Sequence, residues 1–321
     1  MSNPVILVIG GAGYIGSHMV LDLVRADYPV ITLDNLSRGH QFAVGDLGDP
    51  AVLDRVFSQH PVKAVMHFAA WSLVGESVEK PLAYYRNNVA DTITLLEAMQ
   101  RHEIRHFIFS STAAVYGEPR QTPITEAHPC SPANPYGATK LAVERLLADV
   151  SAASELNCSI LRYFNAAGAD AGGAIGERHR PETHLIPLVL QVATGQRDAI
   201  TIFGEDYPTP DGTCLRDYVH VSDLTRAHLL ALEALLNDGG NTTYNLGNST
   251  GYSVRQVIDA AREITGHPIP ARTAGRRAGD PAILIADSSR IRNELGWKPR
   301  YERLDDIIRT AWRWHRREAQ C

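Results

Sequence analysis

The stretch VILVIGGAGYIG, residues 5–16, decides the fold of this chain of 321 residues. Its first part, Val5–Ile9, is a short, nearly continuous apolar run, typical of a strand buried on both faces of a parallel sheet. The glycines that follow, at 10, 11, 13 and 16, satisfy both G-x-G-x-x-G and G-x-x-G-x-x-G. Glycine is needed at the tight turn, where backbone approaches a pyrophosphate, and where helix packs on strand. We therefore predict that the helix-like stretch Ser17–Arg25 points its N-terminus at the phosphates of a dinucleotide.

An acidic residue follows the second predicted strand, Val30–Leu33. Asp34 is the carboxylate expected to accept hydrogen bonds from the adenosine ribose. Its charge disfavours a 2′-phosphate and so favours NAD over NADP, although Arg38 nearby weakens this preference a little. The order of these features, a strand, the glycines, a helix, a second strand and an acidic residue, predicts NAD as the bound cofactor.

Tyr136 and Lys140 are four residues apart in the predicted helix Tyr136–Ser154, and therefore share one face. A free phenol has a pKa of about 10 and is a poor base at neutral pH. A neighbouring ammonium, together with an oxidised nicotinamide ring, would favour the phenolate. Alone, the spacing fits an ordinary helix start with a surface lysine. The dinucleotide motif upstream favours a catalytic pair.

Thr112 follows the predicted strand Phe107–Phe109 by three residues. Ligands of a doubly wound sheet lie beyond the carboxyl ends of its strands, so Thr112 is expected in the region of Tyr136. Its hydroxyl can hydrogen-bond both the phenol and a substrate oxygen. A simple strand-terminal cap is the alternative explanation.

Strands and helices alternate through the first half of the chain, which predicts an α/β fold with a doubly wound parallel Rossmann sheet. We predict a Rossmann domain over residues 1–167, to which the chain returns near residues 214–236 and 243–247. Residues 168–321 are predicted to form mainly a smaller α/β substrate-binding domain, with a loop over Gly168–Pro181. The polar residues Arg216, Arg277 and Asp280 of this domain would suit an anionic substrate, although a surface ion pair is the better explanation of each one taken alone.

Composition limits the possible function classes. The net charge of −5 argues against nucleic-acid binding. The chain has no apolar run of about 20 residues, so we expect no membrane span, and no targeting segment before the first strand. Four scattered cysteines and 13 dispersed histidines predict neither disulfides nor a metal site, and favour a cytoplasmic protein. The basic tail Arg313, Arg316, Arg317 is expected to be a solvated helix end.

Several motifs together resemble the extended short-chain dehydrogenase/reductase superfamily and, within it, the UDP-glucose 4-epimerase family. The resemblance covers almost the whole chain. Besides the glycine motif, it rests on Ser110–Gly117, Pro135–Lys140, Arg162–Asn165, Phe203–Pro208 and Arg216–Val221.

The resemblance implies an NAD-dependent isomerase that interconverts UDP-galactose and UDP-glucose through a transient 4-keto sugar. Tyr136 would take the proton of the sugar 4-hydroxyl, Lys140 would hold the nicotinamide ribose and lower the tyrosine pKa, and Thr112 would bridge to the sugar oxygen. It also implies that residues 168–321 mainly bind the UDP-sugar. A homodimer through the helices Asn88–Arg101 and Tyr136–Ser154 is a further implication.

The resemblance further implies two sets of binding residues. Around NAD they are Gly10, Gly13, Tyr14, Ile15, Gly16, Asp34, Asn35, Leu36, Ser37, Arg38, Gly39, Asp46, Leu47, Phe68, Ala69, Ala70, Ser72, Asn87, Thr112, Tyr136, Lys140 and Phe164. Around the UDP-sugar they are Thr112, Tyr136, Asn165, His184, Leu185, Thr201, Ile202, Phe203, Arg216, Arg277, Asp280 and Leu284.

Several features bear on how far the family pattern applies to this chain. Ser72 stands where many relatives carry a lysine near the cofactor phosphates, so a charge is lost there. His184 stands where asparagine is common, and the segment between Asp34 and Asp46 is short, with a brief strand predicted at Phe42–Val44. Leu284, of intermediate size, falls where the family sets space for the sugar C2 substituent.

Other functions remain open on the sequence. A 4-epimerase of another UDP-sugar (N-acetylhexosamine, pentose or uronate) would share the fold, since the sugar pocket is built from loops. A nucleotide-sugar 4,6-dehydratase resembles this class but carries an Asp-Glu pair after the threonine, where Ala113 and Ala114 stand here. A non-catalytic NAD-binding scaffold would need no intact Tyr136–Lys140 pair.

Overall fold

A computed structural model describes residues 3–36, 45–277 and 280–319. Its strands, in chain order, are β1 (Val5–Ile9), β2 (Val30–Leu33), β3 (Val62–His67), β4 (His106–Thr112), β5 (Asn157–Tyr163), β6 (Asn165–Ala167), β7 (Ile200–Phe203), β8 (Leu215–His220), β9 (Thr242–Leu246), β10 (Gly251–Ser253), β11 (Ala271–Ala274) and β12 (Ile283–Leu284). Its helices are α1 (Tyr14–Arg25), α2 (Pro50–Gln59), α3 (Val74–Glu79), α4 (Pro81–Tyr85), α5 (Asp91–Arg101), α6 (Pro135–Ala153), α7 (Leu185–Ala193), α8 (Val221–Leu236), α9 (Val254–Thr265), α10 (Ser289–Leu295) and α11 (Leu304–Glu318).

The chain divides into two compact units. The first comprises residues 1–117, 129–162 and 225–244, and the second comprises 118–128, 163–224 and 245–321. In the first unit a sheet has the strand order β2-β1-β3-β4-β5-β9, with β1 parallel to both β2 and β3, and β3 parallel to β4. The predicted α/β fold with a doubly wound Rossmann sheet is confirmed.

The strand order of this sheet reverses beside β1, because the chain passes from β1 to β2 on one side and then to β3 on the other. Such a reversal opens a crevice at the carboxyl ends of the strands, where ligands of these folds bind. The apolar side chains of β1, β3 and β4 pack with those of α2, α5 and α6 in one core that includes Leu7, Leu53, Leu95, Phe107 and Val143.

The second unit contains smaller sheets. Strand β8 pairs antiparallel with β10 and parallel with both β12 and β6, and β7 pairs parallel with β11. Helix α9 begins with a capping box between Ser253 and Gln256 and ends at Gly266 in the left-handed conformation. Its apolar face packs with α7 and α11 around Val257, Ile186 and Ile307.

Two predictions about local structure need correction. The helix predicted over Asn88–Arg101 begins as α5 only at Asp91, because a π-helical turn over Arg86–Ala90 joins it to α4. The basic tail is not simply solvated: Arg317 donates to the carbonyl of Gly173 at 2.6 Å, and Arg313 donates to that of Ala171. Within the described parts of the chain, every helix is too short or too polar to cross a bilayer.

Candidate active site

The glycine turn after β1 is shaped by close backbone packing. Gly10 has φ +79°, a conformation that glycine adopts readily, and a Cβ there would lie 2.5 Å from the backbone nitrogen of Ala69. A Cβ on Gly16 would lie 2.1 Å from the carbonyl oxygen of Gly10. One on Gly11 would lie 2.3 Å from the Cγ2 atom of Thr32. Side chains at Gly10 and Gly11 would therefore push the turn away from the sheet, and one at Gly16 would push α1 away from the turn.

Gly13 has a different role in the same turn. Among the described atoms, its Cβ would approach only the carbonyl oxygen of Gly10, at 3.4 Å, an ordinary contact. Gly13 is also the N-cap of α1 and makes no side-chain cap, so the first turn, with Tyr14 and Ile15, offers backbone N–H donors at the positive end of the helix. This arrangement of open space and donors fits the pyrophosphate of NAD.

The carboxylate of Asp34 lies at the rim of this turn. Its two oxygens accept hydrogen bonds from the backbone nitrogens of Ala12 at 3.0 Å and Leu36 at 2.8 Å. The next residue, Asn35, places its amide 3.5 Å from a carboxylate oxygen of Asp46. The predicted cofactor residues Ser37, Arg38 and Gly39, and the predicted strand Phe42–Val44, lie outside the described residues.

A concave pocket in the first unit brings further predicted cofactor residues together. Asp46 and Asn87 line it, with Trp71 and Asp91. Asn88, which was not predicted from the sequence, shapes this region, because its side chain accepts a hydrogen bond from the backbone nitrogen of Trp71 at 2.9 Å and donates one to the Trp71 carbonyl at 3.0 Å. Asn87 in turn donates to the side-chain oxygen of Asn88 at 2.9 Å.

The segment Phe68–Ala70 leaves β3 beside the end of β1. The backbone nitrogens of its first two residues donate to the carbonyl of Ile9 at 2.9 and 3.2 Å. Ser72 is exposed. Leu47 is buried in the hydrophobic core of the unit, which identifies a packing role for its side chain.

The three predicted catalytic residues converge in the first unit. Thr112 ends β4, Tyr136 lies in the first turn of α6, and a side-chain hydrogen bond connects them. One turn further along α6, Lys140 donates its ammonium to the carbonyl of Ser110 at 2.7 Å and lies 4.7 Å above the ring of Phe109. All three predicted residues are buried.

Burial dominates the acid–base properties of this group. It raises the pKa of Tyr136, and the hydrogen bond with Thr112 opposes that rise. It also lowers the pKa of Lys140 to about 7, against the opposing charge of Glu144. Among the described protein groups, Thr112 rather than Lys140 lowers the pKa of Tyr136, so the predicted lowering by Lys140 is not seen in the protein by itself.

A buried charge network next to the catalytic residues was missed from the sequence. Glu144 accepts hydrogen bonds from Ser111 at 2.5 Å and from two nitrogens of Arg162, at 3.0 and 2.5 Å. Arg162 also donates to the hydroxyl of Tyr116 at 3.0 Å. Two signals could have identified this network. Glu144 continues the four-residue spacing of Tyr136 and Lys140, and Arg162 is a charge inside an apolar strand.

In the second unit, β8 and its neighbours collect several predicted substrate residues. Arg216 forms an ion pair with Asp280 and is paired in register with Leu284 across β8 and β12. Arg277 holds its guanidinium 4.1 Å from the ring centre of Phe203. A planar guanidinium with donors to spare suits a phosphate group.

The other predicted residues of this unit are spread over several elements. Asn165 pairs with β8, and Thr201–Phe203 belong to β7, where Ile202 is buried. Phe164 is buried and its backbone nitrogen donates to the carbonyl of Leu246 at 3.1 Å. Leu185 begins α7, whereas the side chain of the preceding residue, His184, turns to two nearby glutamates.

Comparison with known proteins agrees with this geometry. The model of the NAD dependent epimerase/dehydratase family matches residues 6–247. The chain is 54% identical over 318 residues to the UDP-glucose 4-epimerase of Halalkalibacterium halodurans, with 97% of this chain and 95% of that protein covered.

Solved structures extend the comparison. The Brucella ovis UDP-glucose 4-epimerase in complex with NAD is 47% identical, with a TM-score of 0.94 and coverage of 96% and 97% of the two chains. The Stenotrophomonas maltophila UDP-glucose-4-epimerase with bound NAD and formylated UDP-arabinopyranose is 40% identical, with a TM-score of 0.95 and coverage of 100% and 99%. The resemblance drawn from the motifs is thus confirmed, and the chain belongs to the NAD dependent epimerase/dehydratase family.

Proposed function

We propose that this chain is an NAD-dependent isomerase that interconverts UDP-galactose and UDP-glucose by inverting the sugar C4 carbon. The observation that carries the proposal is the convergence of Tyr136, Thr112 and Lys140 in the same unit as a complete dinucleotide turn. The identity of 54% to a UDP-glucose 4-epimerase over nearly the full length supports the choice of substrate.

The protein groups provide the proton chemistry. Tyr136 accepts the proton of the sugar 4-hydroxyl as C4 is oxidised, and returns it when C4 is reduced from the other face. Thr112, already hydrogen-bonded to Tyr136, orients the phenol and shares the substrate oxygen. Lys140 is held by the Ser110 carbonyl, in reach of a ribose hydroxyl.

NAD, when bound, supplies the reversible two-electron oxidation of C4 and a positive ring charge that favours the phenolate. The glycine turn and Asp34 would hold the pyrophosphate and the adenosine ribose, and Asp46 with Asn87 would line the adjoining pocket. We assign this binding to the first unit, as predicted for the Rossmann domain.

The second unit is proposed to bind the UDP-sugar. Arg216 and Arg277 would hold the diphosphate by charge-assisted hydrogen bonds, with Asp280 fixing the Arg216 side chain. Epimerisation requires the 4-keto sugar to turn and present its other face, so binding energy belongs at the uridine diphosphate end while the sugar stays loosely held.

We also propose a homodimer and a cytoplasmic location. Val74, Val78, Leu82, Tyr85 and Ile93 are exposed apolar side chains on α3, α4 and α5, and such a patch is typical of a protein interface. A second copy of the chain, with α5 and α6 in the interface, would cover this patch. Free thiols at the three described cysteines fit a reducing compartment.

The decisive assay incubates the full chain with UDP-galactose and no added electron acceptor. We expect UDP-glucose to accumulate to equilibrium without net formation of NADH, because the redox change is reversed within each turnover. Formation of NADH in proportion to an oxidised sugar product would instead show that the protein is a dehydrogenase. Parallel reactions with a UDP-N-acetylhexosamine, a UDP-pentose and a UDP-uronate measure the sugar preference.

A further inference from the structure

Four potential metal ligands meet in the loop that precedes α7. Glu177, His179, Glu182 and His184 each offer one ligand atom, and these four atoms all lie within 4.8 Å of one another. Their spacing, E-x-H-x-x-E-x-H, differs from familiar metal motifs, which is why no metal site was predicted from the sequence. Only the folded loop brings the four side chains together.

The distances within this cluster are close to those of a metal site. The Nδ1 atoms of His184 and His179 lie 2.7 and 3.1 Å from the same carboxylate oxygen of Glu177, and His184 Nδ1 lies 3.2 Å from Glu182. Ligands of tetrahedral zinc, at metal distances of about 2.0–2.2 Å, are separated by roughly 3.3–3.6 Å. Small side-chain movements would thus place one ion among all four.

The charge and burial of the cluster favour a cation. The carboxylates of Glu177 and Glu182 are only 3% and 4% exposed, and two buried anions this close require positive charge. The His184 side chain is 46% exposed, which leaves solvent access for an entering ion.

The backbone of this loop is anchored to α11. Trp314 donates its indole N–H to the carbonyl of Glu177 at 3.0 Å, and Gly176 permits this packing, since a Cβ there would lie 2.3 Å from the indole ring. Arg317 holds Gly173 through its carbonyl. The ligand set is therefore presented on a fixed scaffold, as a metal site requires.

We propose that Glu177, His179, Glu182 and His184 bind one divalent transition-metal ion, and that this ion is zinc. Two imidazoles with two carboxylates suit zinc better than magnesium or calcium, which prefer oxygen ligands alone. The ion would tie the loop to the first turn of α7 as a structural site. An ion-pair network in which the imidazoles keep their protons is the competing explanation.

Zinc binding by the full-length protein separates these explanations. Chelator-treated protein is titrated with Zn²⁺ by calorimetry, and Co²⁺ is added separately to read the visible absorption of a tetrahedral site. We expect one ion per chain and a rise in Tm on adding zinc. His179→Gln and Glu182→Gln should each weaken zinc binding at least ~10-fold, the minimum seen when metal sites lose a supporting group.

The matched control is His60→Gln, which removes an exposed histidine at the end of α2 and should leave zinc binding and the cobalt spectrum unchanged. Circular dichroism checks the fold of each variant. If His179→Gln does not fold, the zinc affinity of Glu182→Gln is the test of the proposal. Wild-type protein that binds no zinc at micromolar concentrations would overturn the proposal. So would equal affinity in wild type and both cluster variants.

Discussion

Gly137 lies so close to Ala114 that a Cβ on the glycine would be 2.5 Å from the alanine carbonyl oxygen. Gly137 follows Tyr136 in the first turn of α6, and Ala114 lies in the 3₁₀ turn directly after Thr112. The missing side chain therefore lets the start of α6 approach the end of β4. This contact is what brings the phenol and the threonine hydroxyl together.

Gly137→Ala is expected to separate these two elements. The added methyl group meets backbone, which cannot move aside cheaply, so we expect destabilisation of about 1–3 kcal/mol and a fall in kcat of at least tenfold. Urea denaturation and the UDP-galactose assay measure the two effects. Gly75→Ala is the control, since a Cβ there meets nothing within 4 Å, and it should stabilise α3 by about 0.5–1 kcal/mol. Equal behaviour of the two variants would argue against this role of Gly137.

Tyr136→Phe tests the proton acceptor. Removing one hydroxyl from a buried ring keeps its shape, so the fold and UDP binding should persist while turnover falls by about 10²–10⁴-fold. Tyr28→Phe, at a partly exposed position after α1, is the matched control and should leave turnover unchanged. Full activity of the Tyr136 variant would remove the residue from the mechanism.

His67 makes stability depend on pH. Burial and the charge of Lys140 lower the pKa of His67 from 6.5 to about 3. Above pH 6.5 the histidine is neutral in both the folded and the unfolded protein. Below it, the unfolded chain binds the proton first, so stability falls by about 1.4 kcal/mol per pH unit until the pH nears 3.

Chemical denaturation at pH 6.5 and pH 5 measures this effect. The free energy of unfolding of the wild-type protein should fall by about 2 kcal/mol between these pH values because of His67. That of His67→Gln should fall correspondingly less. His60→Gln, on the surface, should retain the full pH dependence of wild type. An unchanged slope in the His67 variant would mean that other groups control acid stability.

Arg216→Gln tests the diphosphate site. Loss of a charge-assisted hydrogen bond should raise the Kd for UDP roughly tenfold to a hundredfold, while NAD content stays unchanged. Calorimetry with UDP gives the affinity, and thermal denaturation gives the cost of leaving Asp280 without its partner. Arg255→Gln removes an exposed arginine of the same unit, paired with Glu205, and should bind UDP like wild type. Unaltered UDP affinity in the Arg216 variant would exclude it from the site.

Local sequence identified the elements whose conformation depends on their own residues. The glycine turn and the strands Val5–Ile9 and Val30–Leu33 were predicted with the bounds that the structure has, because glycines and short apolar runs act within a few residues. The short elements α3, α4 and β12 carry weak periodicity and depend on neighbours distant in the chain, and they were not predicted.

The sequence by itself determined the parallel Rossmann sheet, the dinucleotide turn and the spacing that puts Tyr136 and Lys140 on one helical face. Only the tertiary structure decided what surrounds them. Two contacts join different elements of the chain: the Glu144–Arg162 ion pair and the approach of Gly137 to Ala114. The burial that raises the pKa of Tyr136 likewise comes from the surrounding fold. Desolvation and steric contact depend on distances in space, and no local pattern of residues records those distances.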